Sequence, residues 1–386
     1  MPKALIPLGV RASAYKFRQG LGGDIMVTIS LCMIVRDEED VLGRCLESVQ
    51  DLVDEIIIVD TGSTDRTKEI AAQFEVKLFD FVWVDDFAAA RNAAFAQASC
   101  DYCLWLDADD VLLEADRKKF AQLKADLQPQ VDVVMLPYNT GFDAQGNVTF
   151  SYYRERIVKN RVGMVWQGAV HEVIITHGNI IYGDCAVTHR KLKPGDAERN
   201  LRIFEGLRQR GGLLEPRQQF YYGRELYFHG RFAEALAVLQ QFSKEDKGWR
   251  ENKIDACRHC ALCLYALEQP EQALAALLAS FIYDLPRAEI CCDIGRHFFE
   301  RQLWEQAAYW YLRALTCQRD DKRGGFVLPD AYGFIPSLQL CVCYDRLGQT
   351  HRAECFNRLA ARFKPDTAAV AYNEAYFAGL KRQGKM

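Results

Sequence analysis

The sequence lacks an excess of charge of either sign. It has 48 Lys and Arg residues against 52 Asp and Glu residues, so the formal net charge of the 386 residues is -4. A protein that binds nucleic acid mainly through the phosphate backbone needs a basic surplus, so this composition argues against nucleic acid as a partner. Hydrophobic residues make up 49% and charged residues 26% of the chain, which is typical of a folded globular protein.

A long uncharged hydrophobic run is also missing. A helix that spans a bilayer needs about 20 apolar residues, and the longest candidate, 331–344, is shorter and contains Pro336. The sequence therefore predicts no transmembrane segment. Residues 1–25 combine scattered basic side chains with an apolar patch that Pro7 interrupts, and no small-residue cleavage site follows. We predict that they form a flexible N-terminal tail.

No cysteine metal signature is present, although the chain has 14 cysteines. The closest candidates, Cys257, Cys260 and Cys263, have no fourth ligand at ferredoxin spacing and no second pair at zinc-ribbon spacing. Cysteines such as Cys291 and Cys341 fall on predicted helix faces where a small apolar side chain packs well. We interpret the cysteines as buried packing residues, and their abundance without a disulfide pattern indicates a cytoplasmic protein.

Short β-rich runs alternate with helical stretches over residues 26–194, a pattern typical of an α/β domain with a largely parallel sheet. The predicted strands are 27–35, 55–60, 76–79, 102–106 and 131–136. Helices are predicted over 40–50, with Asp37 as the N-cap, and over 87–98. Ligands bind beyond the carboxyl ends of the strands in open α/β sheets. Two of these strands end in carboxylates, at Asp60 and in the segment 107–110.

Over residues 195–386 the pattern changes to pairs of helices without strands. An alanine near the start of the second helix recurs with a period of about 34 residues, which is typical of tetratricopeptide repeats. These alanines are Ala235, Ala273, Ala307 and Ala353. Small residues stand earlier in each pair, at Gly223, Ala261, Gly295 and Cys341. Because single pairs cannot bury their apolar faces, we expect them to stack into an all-α repeat domain, whose ends could pair two chains into a homodimer.

The strongest local sign of chemistry is the Asp-x-Asp pattern at 107–109, directly after the hydrophobic strand 102–106. Two carboxylates at a sheet edge suit one ribose contact and one divalent metal ion, which prefers hard oxygen ligands. The alternative is structural, because Asp-rich turns also form solvated loops and caps. Asp60 has the same alternative as a cap for its own turn, and Arg91 could be an exposed ion-pair partner.

Four motifs at successive strand ends together resemble the nucleotide-binding half of family 2 glycosyltransferases of the GT-A fold. They are 30–39 (SLCMIVRDEE), 58–67 (IVDTGSTDRT), 86–92 (DFAAARN) and 107–109 (DAD). The resemblance implies a Rossmann-like mixed sheet, a nucleoside diphosphate sugar, most simply a UDP-sugar, as donor, and Mn²⁺ or Mg²⁺ as cofactor. It implies donor contacts from Cys32, Met33, Ile34, Glu38, Asp60, Arg91, Asp107 and Ala108. It further implies metal ligation by Asp109, with His189 as an additional ligand.

A second cluster, 166–172 (WQGAVHE) followed by 187–190 (VTHR), resembles the acceptor-side segment of a subgroup of these enzymes. Direct displacement with inversion at the sugar requires a general base that takes the proton of the acceptor. Glu172 is the first candidate, His171 the second and Asp110 the third. Arg154 and Arg156 either contact the diphosphate or lie on the surface of a strand, and the sequence leaves both open.

A GT-A domain followed by tetratricopeptide-like repeats resembles bacterial enzymes that glycosylate a peptide side chain, including the sublancin-type S-glycosyltransferases. It also resembles transferases that build cell-surface saccharides or lipopolysaccharide. We therefore predict a hexosyltransferase of the EC 2.4 class with a peptide, protein or saccharide acceptor. A nucleotidyltransferase would show a Gly-rich first loop, which 31–38 lacks. A nucleotide-binding repeat scaffold without turnover is the non-enzyme alternative.

Overall fold

The computed structural model describes residues 26–143, 146–192 and 195–385. The predicted tail 1–25 and the predicted boundary at residue 194 lie outside the described residues. The strands are β1 (Ile29–Val35), β2 (Glu55–Asp60), β3 (Lys77–Asp80), β4 (Tyr102–Trp105), β5 (Asp110–Val111), β6 (Val133–Phe142), β7 (Val148–Lys159), β8 (Trp166–Gln167), β9 (Val173–Ile174), β10 (Ile180–Tyr182) and β11 (Val187–His189). The helices among them are α1 (Leu42–Glu47), α2 (Thr67–Ala71), α3 (Phe87–Ala96) and α4 (Glu114–Asp126).

Most of these strands form one mixed sheet. Within the described ranges its order is β3-β2-β1-β4-β7-β6-β11-β5, and β10 also pairs with β6. Strand β1 is parallel to β2 and β4, whereas β7 is antiparallel to β4 and β6. The central strands are hydrophobic at successive positions because both faces are covered. Leu31 and Met33 pack into the core on one face, and Cys32 packs with Ile57 on the other.

The prediction that Asp37 caps the first helix is wrong. Helix α1 begins at Leu42, after Val41, and no side chain accepts a hydrogen bond at its start. Asp37 instead adopts a left-handed φ of 53°. Its Oδ1 accepts a hydrogen bond of 2.7 Å from the N–H of Thr64. This carboxylate therefore joins the loop after β1 to the loop after β2 and does not reach the helix.

The second half of the chain consists of paired helices. They are α5 (Arg199–Gln209), α6 (Pro216–Phe228), α7 (Phe232–Lys244), α8 (Arg250–Ala266), α9 (Pro270–Ala279), α10 (Ala288–Glu300), α11 (Trp304–Thr316), α12 (Phe334–Arg346), α13 (Thr350–Phe363) and α14 (Ala368–Arg382). The alanines that set the repeat period are fully buried: Ala235, Ala273, Ala307 and Ala353. The predicted fold class, a mixed α/β domain followed by an all-α repeat region, is confirmed. In the described part of the chain, no helix has the length and hydropathy needed to cross a membrane.

The cysteines are free thiols, and most of them are buried. Cys257 and Cys260 lie on the inner side of α8. Burial raises the pKa of the Cys257 thiol to about 11 and that of the Cys260 thiol well above its usual range, so both stay protonated at neutral pH. Cys291 and Cys341 are 0% and 2% exposed in the next two inner helices. The interpretation of these cysteines as packing residues is confirmed.

Gly295 in α10 lies where a side chain would collide with the partner helix. A Cβ at this position would lie 2.8 Å from Cε1 of Tyr311, whose rigid ring is buried. We expect Gly295→Ala to lower the free energy of unfolding by about 1–3 kcal/mol, measured by urea denaturation. Gly379→Ala in α14 is the matched control, since its Cβ would meet no atom within 4 Å. It should gain up to about 1 kcal/mol from helix propensity, and equal losses in both variants would contradict the explanation.

The two halves of the molecule share a hydrophobic cluster. Ala169 and Val170, from the segment after β8, pack with Phe204 of α5 and with Tyr222 and Leu226 of α6. Burial of apolar surface at this contact stabilises the junction between the halves. Helices α5 and α6 therefore lie directly against the segment that carries the predicted acceptor-side motif.

Candidate active site

The carboxyl ends of β1, β2 and β4 meet at one edge of the sheet. Strand β1 lies between the other two, with Val35 opposite Asp60 in the pairing with β2. Asp60 Oδ1 accepts hydrogen bonds of 2.9 Å from the N–H groups of Gly62 and Ser63, as a turn cap does. Its Oδ2 is buried without a hydrogen-bond partner among the described residues. Asp60 therefore orders its turn with one carboxylate oxygen and leaves the other without a partner.

The predicted donor residues of the first motif lie in β1 and the loop that follows it. Cys32 and Met33 are only 2% and 0% exposed, so their side chains are buried and only their backbone atoms could approach a ligand. Ile34 is partly buried in the same strand. In the loop, the N–H of Glu38 donates to Thr67 Oγ1 at 2.7 Å. This bond fixes the first loop against the second one.

Arg91 from α3 bridges two of the predicted site carboxylates. Its NH2 donates to Asp107 Oδ1 and its Nε donates to Glu172 Oε1, both at 2.7 Å. The guanidinium carbon lies 5.0 Å from the ring centroid of Trp105 and 4.9 Å from that of Trp166. Arg91 is 7% exposed, which excludes the alternative of a surface ion pair. Burial would raise the pKa of Asp107, but the charges of Arg91 and Arg156 and the hydrogen bond from Arg91 together outweigh this effect and lower the pKa to about 2.

Asp109, Asp110 and His189 form a compact group that could hold a metal ion, since one ligand atom of each lies within 4.8 Å of the others. His189 Nδ1 is 3.3 Å from Asp109 Oδ1 and 3.4 Å from Asp110 Oδ1. The antiparallel pairing of β11 with β5 places His189 opposite Asp110. Hydrogen bonds to both carboxylates raise the pKa of His189 to about 10. A proton thus occupies the place between two carboxylates where a cation could bind.

Asp110 is enclosed by protein on all sides, with 0% of its surface exposed. Its Oδ2 accepts from Arg156 NH1 at 3.0 Å, and its Oδ1 accepts from the Tyr138 hydroxyl at 2.9 Å. Arg156 is equally buried and also donates to the backbone oxygen of Trp105. A general base needs open access to the acceptor. This geometry therefore argues against Asp110 as the base and against Arg156 as a diphosphate contact.

The two remaining candidates for the base are neighbours in the chain but have different partners. The side chain of Glu172 is 13% exposed and is ion-paired with Arg91. The side chain of His171 is 34% exposed, and its Nε2 lies 2.8 Å from Oε1 of Glu225 in α6. Sequence reasoning did not identify Glu225, because no motif marks it within the repeat pattern. It also missed Tyr138, which lies just beyond the predicted strand 131–136 and could have been found by the strand-end rule.

Residues 30–191 match the sequence model of the family described as glycosyl transferase family 2. The α/β half is a family 2 glycosyltransferase domain. The family predicted from the motifs is thereby confirmed. The matched segment extends from the second residue of β1 to just past the end of β11 and contains the group formed by Asp109, Asp110 and His189.

The names of curated relatives refer either to TPR repeats or to glycosyltransferase activity. A TPR repeat-containing protein of Synechococcus elongatus is 42% identical over 153 residues, which are 39% of this chain and 36% of that protein. The SPbeta prophage-derived glycosyltransferase SunS of Bacillus subtilis is 26% identical over 260 residues, 63% of this chain and 59% of SunS. The lipopolysaccharide core biosynthesis glycosyltransferase LpsC of Rhizobium meliloti is 29% identical over 160 residues, 39% of this chain and 58% of LpsC. The chain thus spans between 36% and 59% of the length of these relatives.

Two solved structures are each similar to a part of the chain. A crystal structure of MamA protein covers 44% of this chain and 82% of its own, with 14% identity and a TM-score of 0.34. Glucosyl-3-phosphoglycerate synthase from Mycobacterium tuberculosis, in complex with Mn²⁺, UDP and phosphoglyceric acid, covers 52% of this chain and 86% of its own. Its identity is 16% and its TM-score is 0.36.

Proposed function

We propose that the protein is a metal-dependent, inverting glycosyltransferase that moves a sugar from a nucleoside diphosphate sugar to a side chain of a peptide or protein. The observation that carries the proposal is the carboxylate pair at the end of β4. Asp107 is held by Arg91, and Asp109 lies beside Asp110 and His189 in a group that suits a metal ion. The family of the domain supports sugar transfer as the reaction.

The donor would lie across the carboxyl ends of β2, β1 and β4. Asp60 Oδ2 and Arg91 NH1 are buried atoms without partners among the described residues, and both stand at this edge. Buried polar atoms normally have hydrogen-bond partners, so unsatisfied ones at a sheet edge favour ligand contacts. We assign Asp60 to the nucleotide base and Asp107 to the ribose. We assign Arg91 to the nucleotide end of the donor as well.

The chemistry of the ligand set fits Mn²⁺ or Mg²⁺. Asp109 and Asp110 provide hard carboxylate oxygens, and His189 provides an imidazole nitrogen that must lose its proton on binding. Asp109 is the most accessible carboxylate of the two, because its side chain is 20% exposed and that of Asp110 is fully buried. When bound, the cation would act as a Lewis acid toward the negative charge of the departing diphosphate.

A peptide or protein acceptor is favoured by the similarity to SunS, which extends over 63% of this chain and so reaches into the helical half. Curved helical repeats offer an extended surface that suits a peptide chain. A saccharide or lipopolysaccharide acceptor is the second candidate, and the similarity to LpsC favours it. We further infer a cytoplasmic protein from its free, buried cysteines, and a homodimer through the repeats stays a prediction.

The proposal is tested first with a thermal-shift panel of UDP, GDP, CDP and UDP-sugars, each with and without Mn²⁺. A ligand at about 100 times its dissociation constant should stabilise the folded state by about 2.7 kcal/mol. We expect stabilisation by UDP and UDP-sugars that depends on Mn²⁺. If no nucleotide raises the melting temperature in either condition, the assignment of the nucleotide site, and with it the proposed transferase activity, is wrong.

The acceptor class is then tested by mass spectrometry of products. The protein is incubated with UDP-glucose or UDP-N-acetylglucosamine, Mn²⁺, and either a set of Cys- and Ser-containing peptides or lipopolysaccharide core oligosaccharides. A hexose or N-acetylhexosamine mass added to peptide supports the proposal. The same addition to the oligosaccharides alone would establish the second candidate instead.

A further inference from the structure

Helix α6 of the repeat half holds His171 at three points. The backbone oxygen of His171 accepts hydrogen bonds from Arg217 Nε at 3.3 Å and NH2 at 3.2 Å. Its ring stacks on Tyr221 with centroids 4.2 Å apart and planes inclined by 17°. Its Nε2 lies 2.8 Å from Glu225 Oε1. Because Arg217, Tyr221 and Glu225 are spaced by four residues, they lie on one face of α6, and this face is directed at His171.

The Glu225 carboxylate is an unusual group to find at a junction between domains. It is 9% exposed, and the same Oε1 that faces His171 also accepts from Asn200 Nδ2 at 3.1 Å. Burial would raise the pKa of Glu225, but these hydrogen bonds lower it, so the carboxylate is ionised at neutral pH. A buried charge is costly unless a partner compensates it. Here the partner is the imidazole of His171.

The backbone of His171 is also in an uncommon conformation. Its φ is 52°, in the left-handed region that residues with a Cβ seldom occupy. Such conformations persist when surrounding contacts enforce them, and they concentrate at functional sites. The contacts from α6 supply that enforcement and turn the imidazole toward the repeat half. Nε2 is thereby engaged by Glu225, and among the described residues it is the only atom of the ring that takes part in a hydrogen bond.

The three candidates for the general base therefore differ in availability. Asp110 is 0% exposed, and both of its oxygens are bonded within the protein. Glu172 is paired with Arg91 at 2.7 Å, which ties its charge to the donor side of the site. His171 combines a partly exposed ring, a free nitrogen and a carboxylate partner on its other nitrogen. A histidine can act as a base in this arrangement, because the carboxylate on one ring nitrogen stabilises the imidazolium that forms when the other nitrogen takes a proton.

We propose that His171 takes the proton of the acceptor and that Glu225 is its positioning residue, so that the repeat half completes the catalytic centre. The inference rests on the proposed function. The acceptor O–H or S–H bond breaks as its proton moves to Nδ1, and the acceptor atom forms a bond to the anomeric carbon of the sugar. The bond from that carbon to the diphosphate oxygen breaks, and its electron pair leaves with the diphosphate. Glu225 stabilises the imidazolium until the proton passes to water.

The test uses the full chain and measures UDP release from UDP-glucose with the peptide set described above. His171→Gly suits the left-handed backbone and removes the imidazole, and we expect kcat to fall by about 10²–10³-fold. Glu225→Gln keeps the shape of the side chain and removes its charge, and we expect a loss of about tenfold. In both variants the donor KM and the UDP-induced thermal shift should stay as in the wild type. Free imidazole should restore part of kcat in His171→Gly, which a purely structural role would not allow.

Glu198→Gln is the matched control. Glu198 also faces a histidine, His229 in the repeat half, with 3.4 Å between Glu198 Oε1 and His229 Nε2. We expect the Glu198→Gln variant to have the kcat of the wild type. Wild-type kcat in Glu225→Gln, or failure of imidazole to raise kcat in a His171→Gly variant that still binds UDP, would overturn the inference. If His171→Gly does not fold, Glu225→Gln alone tests the inference: a lower kcat with an unchanged donor KM supports it, and an unchanged kcat overturns it. A wild-type protein that neither binds nucleotide nor releases UDP would instead overturn the proposed function.

Discussion

Replacing Asp109 by alanine is expected to reduce sugar transfer about 10³-fold while the protein stays folded. A metal ion contributes several kcal/mol of charge stabilisation in the transition state, and each 1.36 kcal/mol changes the rate tenfold. Asp109 is the accessible carboxylate of the group with Asp110 and His189, so its loss would remove the open side of the proposed metal site. Its backbone oxygen accepts the N–H of Arg190, and this bond survives the substitution. The measurement is the single-turnover rate across a Mn²⁺ titration, with circular dichroism melting as the test of folding.

Asp126→Ala provides the control for Asp109→Ala. Asp126 lies in α4 of the same domain, and its carboxylate is bonded to Gln122 of the same helix. We expect this variant to keep both the rate and the dependence on Mn²⁺. If Asp109→Ala transferred sugar at the wild-type rate with an unchanged Mn²⁺ titration, the assignment of the metal to this group would be wrong.

The largest effect on stability is expected for Arg156→Met. Arg156 and Asp110 are an ion pair in which both side chains are fully buried, with NH1 and Oδ2 3.0 Å apart. Removal of one partner leaves an uncompensated charge in the interior and costs about 3–5 kcal/mol. We expect this loss in the free energy of unfolding, measured by urea denaturation followed through tryptophan fluorescence. Trp105 is a suitable reporter because the Arg156 guanidinium carbon lies 3.8 Å from its ring centroid.

Two further variants separate two contributions to the loss of stability: the burial of an unpaired charge and the loss of the ion pair itself. Arg202→Met removes an exposed pair with Asp196, and such pairs contribute no more than about 1 kcal/mol. The double variant Asp110→Asn with Arg156→Met removes both buried charges and should recover part of the loss of the single variant. A loss below about 1 kcal/mol for Arg156→Met would show that Asp110 finds other compensation.

The sequence was sufficient for the parts of the fold that depend on local pattern. Strands β1, β2 and β4 are continuous hydrophobic runs with polar ends, so their positions could be predicted to within a few residues. Strand β7 was not among the predicted strands, although a strand was one of the two alternatives for Arg154 and Arg156. Its segment YYRER is polar and aromatic and has no continuous hydrophobic run. A bulge in its pairing with β6, between Val134 and Met135, makes Arg156 the extra residue of β7, because Val134 pairs with Ile157 and Met135 with Glu155. No sequence rule marks that position in a single chain.

In the candidate site too, some residues could be predicted from local sequence pattern and others could not. Residues that share a motif, such as Asp107 and Asp109, could be assigned to the edge of the sheet because a strand leads directly into them. Their partners could not be deduced, since strand pairing alone brings His189 to Asp110 across 79 residues. Asp37 was misassigned because a carboxylate before a helix usually caps it, whereas here the neighbouring loop offers the stronger partner. Glu225 lies in a repeat helix whose pattern reports packing and not polar contacts.

The contact between α6 and His171 also determines where the chain could be divided into exchangeable modules. The composition of the chain changes near residue 195, and a chimera designed from that change would replace every helix from α5 onward. Such a chimera would retain the carboxylates after β4 but would lose the helix face that carries Glu225. An engineered transferase with a foreign repeat array should therefore keep α5 and α6 and be joined at α7. The part of the chain that must stay together then consists of the α/β domain and the first two helices of the repeat half.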